Sequence, residues 1–142
     1  MKKIFTFILI VFGAVTQAQQ QDSITKVVDA DLDSSVIFAK VEVEAQFPGG
    51  EKAWIQYIIK VVEKNVDRIN DDKKSNGTCI IQFIVDKEGN ISNVEALTLT
   101  KSVLAEVAVD AIKKGPKWIP AMQFGKPVKA YRRQPVTFRR AK

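Results

Sequence analysis

The chain has 142 residues, a net charge of +6, one cysteine and no histidine. That length suits one domain with a short leader. The missing histidine removes Ser-His and Cys-His nucleophiles and most zinc sites, and the lone Cys79 excludes an internal disulfide.

Charge is unevenly spread. Residues 19–110 hold ten basic and all sixteen acidic residues, whereas residues 111–142 hold ten basic and none acidic. A basic end on an acidic body creates a directional field. It suits an acidic peptide, an anionic membrane surface or nucleic acid.

Met1 to Ala18 reads as a secretory signal peptide. Lys2 and Lys3 form a positive start, Ile4–Val15 an apolar run, and Thr16-Gln17-Ala18 a small-residue cleavage site. Twelve positions fall short of the roughly 18–20 that span a bilayer. An exported, soluble chain is the resulting expectation, with an uncleaved membrane anchor as its alternative. Export argues against nucleic acid as the partner.

Residues 19–35 read as a polar linker, and residues 36–142 as the domain. Asp29, Asp31 and Asp33 open like a calcium loop, but Ser34 stands where glycine is required and Lys40 where the bidentate glutamate belongs. They read as a solvated spacer. Within Val36–Phe47, Val41 and Val43 alternate with Lys40, Glu42 and Glu44, predicting a short edge strand or extended lead-in.

Pro48-Gly49-Gly50 breaks that run, and a helix is expected from about Glu51, whose charge suits a helix N-terminus. Trp54, Ile55, Ile58, Ile59, Val62 and Val66 form its predicted apolar stripe, opposite Lys52, Gln56, Lys60 and Glu63. Asn70–Gly77 reads as a polar loop.

Thr78–Val85 is rich in β-branched residues and reads as a strand. Cys79, Ile81, Phe83 and Val85 share its inward face, with Thr78, Ile80, Gln82 and Ile84 on the other. Asp86–Asn90 supplies a hairpin connection with a glycine for positive φ, and Ile91–Leu99 is expected to return. Asp86 and Glu88 are the nearest approach to a catalytic carboxylate pair, but in a tight turn they read as solvated turn residues. Two glycosylation-type tripeptides, starting at Asn76 and Asn90, are chance-level patterns.

Lys101–Lys114 reads as a second amphipathic helix, with Leu104, Val107, Ala108, Ala111 and Ile112 inward and Gly115-Pro116 as its stop. Pro116, Trp118, Pro120, Gly125 and Pro127 then read as a packed structural corner. The aromatics Trp118, Phe124, Tyr131 and Phe138 look like core rather than a stacking platform for bases.

The last predicted strand, Val128–Phe138, contains Pro135, which cannot donate to a ladder and so confines the strand to a sheet edge or a bulge. An edge offers unpaired backbone groups that either need protection or accept an added strand. Lys129, Ala130, Tyr131, Arg132, Arg133, Gln134, Pro135 and Val136 are the candidate partner-binding residues, with Arg139 and Arg140 lining the same region. The expected fold class is α+β, with a small antiparallel sheet of about three strands packed against two helices.

Three groups of residues, in this order, resemble the C-terminal domain of TonB proteins. They are Phe47-Pro48-Gly49-Gly50-Glu51; Gly77-Thr78 with Phe83 to Ile91; and Pro116 to Ala121, Gly125 to Val128 and Pro135 to Phe138. Together they cover roughly residues 46–138. The resemblance implies a periplasmic, non-enzymatic peptide-binding module that needs no cofactor. It pairs a segment at the N-terminus of an outer-membrane transporter beside its last strand. Family members transmit inner-membrane energy to uptake. Here the long proline-rich spacer and a convincing anchor are missing, Val66-Asp67-Arg68-Ile69 replaces the usual Tyr-Pro pair, and Thr98–Ser102 replaces a small-residue turn. A binding module is therefore expected, with the anchored energy transducer as the alternative. Membrane proximity and a homodimer stay open.

Overall fold

The structure, a computed structural model, describes residues 35–141. The expected leader and all of the linker except Ser35 lie outside the described residues. The elements are α1 (Gly50–Lys64), α2 (Val66–Asp71), β1 (Gly77–Val85), β2 (Ile91–Ala96), α3 (Val103–Lys114), β3 (Ala121–Gln123), β4 (Lys126–Val128) and β5 (Ala130–Phe138). β1 is the centre of a three-stranded antiparallel sheet in the order β2-β1-β5, and β3 and β4 form a separate hairpin. The α+β class and the three-stranded sheet match the sequence reading.

β1 earns its central place by composition. Cys79, Ile81, Phe83 and Val85 are fully buried, the last three side chains each contributing about 1.5–3 kcal/mol by leaving water. Above them lie Leu104, Ala105, Val107, Ala108, Ala111 and Ile112 of α3, all buried, and α3 touches both β1 and β2. Burial pushes the Cys79 thiol above its ordinary range, and its S–H donates to the Thr98 carbonyl at 3.2 Å. It is an inert core residue. Ile84, assigned to the opposite face, is also buried.

α1 lies outside α3, and the Tyr57 hydroxyl donates to the Ala111 carbonyl at 2.7 Å. Only Trp54 and Ile58 of α1 are buried; Ile55 and Ile59, expected inside, are 45% and 48% exposed. The helix ends at Lys64, so Val66 opens the short α2 instead of completing the stripe, and of the expected Asn70–Gly77 loop residues 72–76 are irregular, Asn70 and Asp71 being helical and Gly77 opening β1. Among the described residues, three helical segments therefore replace the two expected.

The loop after α2 has a structural task. All four N-terminal N–H groups of a helix lack an internal partner, and in α3 each of them is met. Ser102 N donates to the Leu99 carbonyl at 2.9 Å, Val103 N to Asp72 Oδ2 at 2.7 Å, Leu104 N to Ser75 Oγ at 2.9 Å and Ala105 N to Ser102 Oγ at 3.0 Å. Arg140 closes the loop from behind, its Nη2 donating to the carbonyls of Asn70 and Asp72 at 2.6 and 3.0 Å.

The Val103 N–H, then the Ser75 hydroxyl and the Lys74 N–H, hold the Asp72 carboxyl below its ordinary 3.8. A group whose pKa falls on folding stabilises fully above its unfolded value and stops doing so as pH drops through the folded value. Melting curves should show the wild type losing stability below about pH 4. In Asp72→Asn that acid limb should be flatter, from a lower starting point at neutral pH.

The expected corner divides in two. Trp118 is buried, 4.9 Å from the Phe83 ring and 5.7 Å from the rings of both Phe47 and Trp54. Pro120 is half-buried, whereas Pro116 is exposed. Gly125 and Pro127 belong to the β3–β4 hairpin, so Val128 ends β4 and β5 begins at Ala130. The two central turn residues, Phe124 and Gly125, have φ of 51° and 72°, the positive values of a type I′ turn. Phe124 and Tyr131, expected in the core, are exposed.

Candidate functional site

β5 pairs with β1 through nine residue pairs, from Ala130 opposite Val85 to Phe138 opposite Gly77. In an antiparallel ladder, alternate residues turn both backbone groups toward the partner and the others turn both away. Two observations fix the parity here. Tyr131 N donates outward to the Phe38 carbonyl at 3.0 Å. Ile80, opposite Pro135, spends its N–H on Thr98 Oγ1 and its carbonyl on Leu97 N, both on the β2 side.

Odd-numbered residues of β5 therefore face the outer edge. Pro135 is one of them, so its missing N–H costs the β1 ladder nothing. The sequence expectation of an edge strand holds, and no bulge is needed in the β1–β5 pairing. The N–H groups of Arg133 and Thr137 and the carbonyls of Arg133, Pro135 and Thr137 point outward. Among the described residues, only the lead-in segment pairs with this edge, and only at its beginning. Phe38 forms a parallel bridge with Ala130, its N–H donating to the Lys129 carbonyl at 2.9 Å.

The candidate residues divide between the two faces of the sheet. Ala130 and Val136 are buried against the helical layer, and as even-numbered residues they turn their backbone groups toward β1, so they offer a partner strand neither side chain nor backbone. Tyr131, Arg133 and Pro135 are exposed on the opposite face, and Lys129 is half-buried just before the strand. A polar row crosses that face: Arg133 Nε donates to Gln82 Oε1 at 2.9 Å, and Gln82 Nε2 to Glu95 Oε1 at 3.3 Å.

Arg132 and Gln134 face the helical side, where a cleft of about 350 Å³ adjoins the edge. Glu44, Phe47, Glu51, Trp54 and Trp118 complete its walls. Arg132 Nη1 pairs with Glu44 Oε2 at 2.5 Å and Nη2 donates to Gln134 Oε1 at 3.3 Å, while its buried Nε has no partner. The cleft therefore holds one leftover donor beside three aromatic rings. It also adjoins the N-terminal turn of α1, where Gly49, at φ 86°, offers no side-chain cap.

Arg140 does not line this region, because it is committed to the Asn70–Asp72 loop. Sequence reasoning passed over Phe38 and Glu44, whose partners lie about ninety positions away. The alternation around Val41 and Val43 was the available signal. It predicted an extended lead-in but not its place on β5.

The Asp86 carboxylate ties its own turn together. Burial works against the charge of Asp86, but the Asn90 amide and the N–H groups of Asn90 and Glu88 outweigh it and hold the carboxyl below its usual range. A carboxylate held ionised by its own turn is poorly suited to donate a proton near neutral pH. Among the described residues, no group of three or more His, Cys, Asp or Glu side chains is placed to hold a metal ion, and no helix is long and apolar enough to cross a membrane.

A family model, that of the Gram-negative bacterial TonB protein C-terminal, matches residues 69–139, half of the chain. The match begins at the end of α2 and runs through β5, so α1 and the lead-in precede it. Neither the curated proteins nor the solved structures give a match.

Proposed function

The chain belongs to the family of the TonB protein C-terminal domain, a family of non-enzymatic protein-interaction domains of the Gram-negative envelope, and from that premise we propose that it binds a protein partner by strand addition to β5. The partner is an extended segment at the N-terminus of an outer-membrane transporter, and the meeting place is the periplasm. The observation that carries this reading is the outward parity of β5. Two N–H groups and three carbonyls are presented in a row, while Pro135 lies where it leaves the β1 ladder intact.

Main-chain bonds to such an edge give affinity, and pockets for alternate side chains give specificity. The cleft beside Arg132 and Gln134 supports a role as such a pocket. A partner residue on the helical side of the added strand meets aromatic walls and the unpaired Arg132 Nε. A side chain ending in an acceptor oxygen fits both, and an amide or hydroxyl fits best because Glu44 already neutralises the guanidinium.

Titration of transporter N-terminal peptides into the isotope-labelled protein tests the reading. Amide shifts should concentrate between Arg133 and Phe138, with smaller changes at Trp54 and Trp118. Saturable binding that leaves Arg133 and Thr137 unmoved would place the partner elsewhere on the domain.

A further inference from the structure

We propose that residues 36–42 are a built-in occupant of the partner edge, a flap that closes the beginning of β5 until an incoming strand displaces it. The proposal deepens the strand-addition reading and rests on it for the identity of the natural partner, but not for its own test.

The lead-in has two parts, held very differently. From Val43 onward it is fixed. Val43 and Met122 exchange backbone bonds of 3.1 and 2.8 Å, Gln46 and Ile119 bonds of 3.0 and 2.7 Å, and Ala45 and Phe47 are buried. Before Val43, the backbone bonds to β5 are the two made by Phe38, to the Lys129 carbonyl and from the Tyr131 N–H. Glu42 N adds a bond to Gln123 Oε1 at 2.9 Å, which lies beside the hinge rather than along the flap. Val36, Ala39 and Lys40 are exposed. A segment whose backbone is bonded to β5 at one residue and hinged at a fixed one has the form of a displaceable strap.

Its position makes displacement matter. The Phe38 bridge is parallel and takes two of the outward groups that precede Arg133, the Lys129 carbonyl and the Tyr131 N–H. Beyond the bridge the segment crosses the edge. Ala39, Lys40 and Glu44 face Tyr131 and Arg133 across a second cleft of about 320 Å³ on the far side of the sheet. Glu44 lines both this cleft and the one beside Trp118, so the crossing lies at the Arg132–Glu44 pair. A partner strand pairing only with the later part of β5 leaves the flap in place. One that continues back to Tyr131 must take the bonds that Phe38 now makes. The flap is thus an intramolecular competitor, and a partner's apparent affinity falls by the fraction of time the edge is open.

The probe for this need not be the natural partner. A synthetic peptide copying residues 35–42 carries the flap's own pairing groups. In the full-length protein, the Tyr131 amide should exchange with deuterium markedly more slowly than the Arg133 amide, although both face outward. In Phe38→Pro, which removes the donor to Lys129, Tyr131 should exchange nearly as fast as Arg133. The peptide should then bind that variant about tenfold more tightly than the wild type, shifting Ala130 and Tyr131. Equal exchange at Tyr131 and Arg133 in the wild type, or equal peptide affinity for the two proteins, would overturn the flap. Failure of transporter peptides to bind either protein, alongside a positive flap result, would instead count against the strand-addition reading alone.

Discussion

Gly89→Ala should leave the domain unfolded or barely folded, although only one methyl group is added. Gly89 is buried at φ 85° in the β1–β2 turn, where a β-carbon would lie 2.0 Å from the Trp118 carbonyl oxygen. The turn is fixed on both sides: Gly89 N donates to the Asp86 carbonyl at 3.0 Å, and the Gly89 carbonyl accepts from Trp118 N at 3.0 Å. Trp118 cannot retreat, because Phe47, Trp54 and Phe83 surround its ring. The methyl group forces the turn off the tryptophan, adding left-handed strain of about 1–2 kcal/mol to a lost bond of about 1 kcal/mol and disturbed packing. A total above about 3 kcal/mol is a large part of a typical domain's stability. Gly125→Ala is the matched control. Its φ is 72° but nothing lies within 4 Å of the added carbon, so it should cost only the left-handed strain of about 1–2 kcal/mol. Urea denaturation of the two variants measures the difference, and equal midpoints would mean that the Trp118 contact yields freely.

That contact explains why two of the resembling stretches occur together. Asp86–Asn90 and Pro116–Ala121 are thirty residues apart in sequence, yet one is the seat of the other. What the sequence made legible was local. The alternation of Cys79, Ile81, Phe83 and Val85 identified the central strand, because a face buried under helices admits little else. Pro135 identified the edge, because its lack of an N–H leaves few other places in a sheet.

What stayed hidden depends on contacts between distant residues. Ile55 and Ile59 belong to a plausible apolar stripe. However, α1 packs on α3 and leaves that flank uncovered, and no pattern within the helix records how wide its neighbour is. Asp72 and Ser75 sit in a run that reads as loop, yet they cap a helix thirty residues later. The return strand was read to Leu99 because its pattern continues, whereas Asn93 and Leu99 adopt positive φ and the ladder slips between Gln82 and Ile84. Leu97 and Thr98 still bond to Ile80 without belonging to the strand. The candidate site was legible as a strand and an edge. Its cleft, its closed beginning and the removal of Arg140 from it were not.

Arg133→Pro, built to resemble Pro135, should abolish most of the partner affinity while leaving the fold in place. The N–H at 133 faces outward, so its loss does not touch the β1 ladder, and an edge position tolerates the ring. Losing that donor and placing a pyrrolidine against the incoming backbone should cost at least tenfold in affinity, from about 1.5 kcal/mol upward. The side chain is separated by Arg133→Ala, which loses the bond to Gln82 but keeps the N–H, and should bind within a few-fold of the wild type. Parity gives the converse variant. Gln134 turns its N–H toward β1, so Gln134→Pro should lower the urea midpoint strongly, where Arg133→Pro barely moves it. Calorimetric titration with a transporter peptide that binds the wild type, beside urea melts of the three variants, reads all of this. Full affinity in Arg133→Pro would mean that the partner does not pair with the outer edge of β5, whatever else it touches.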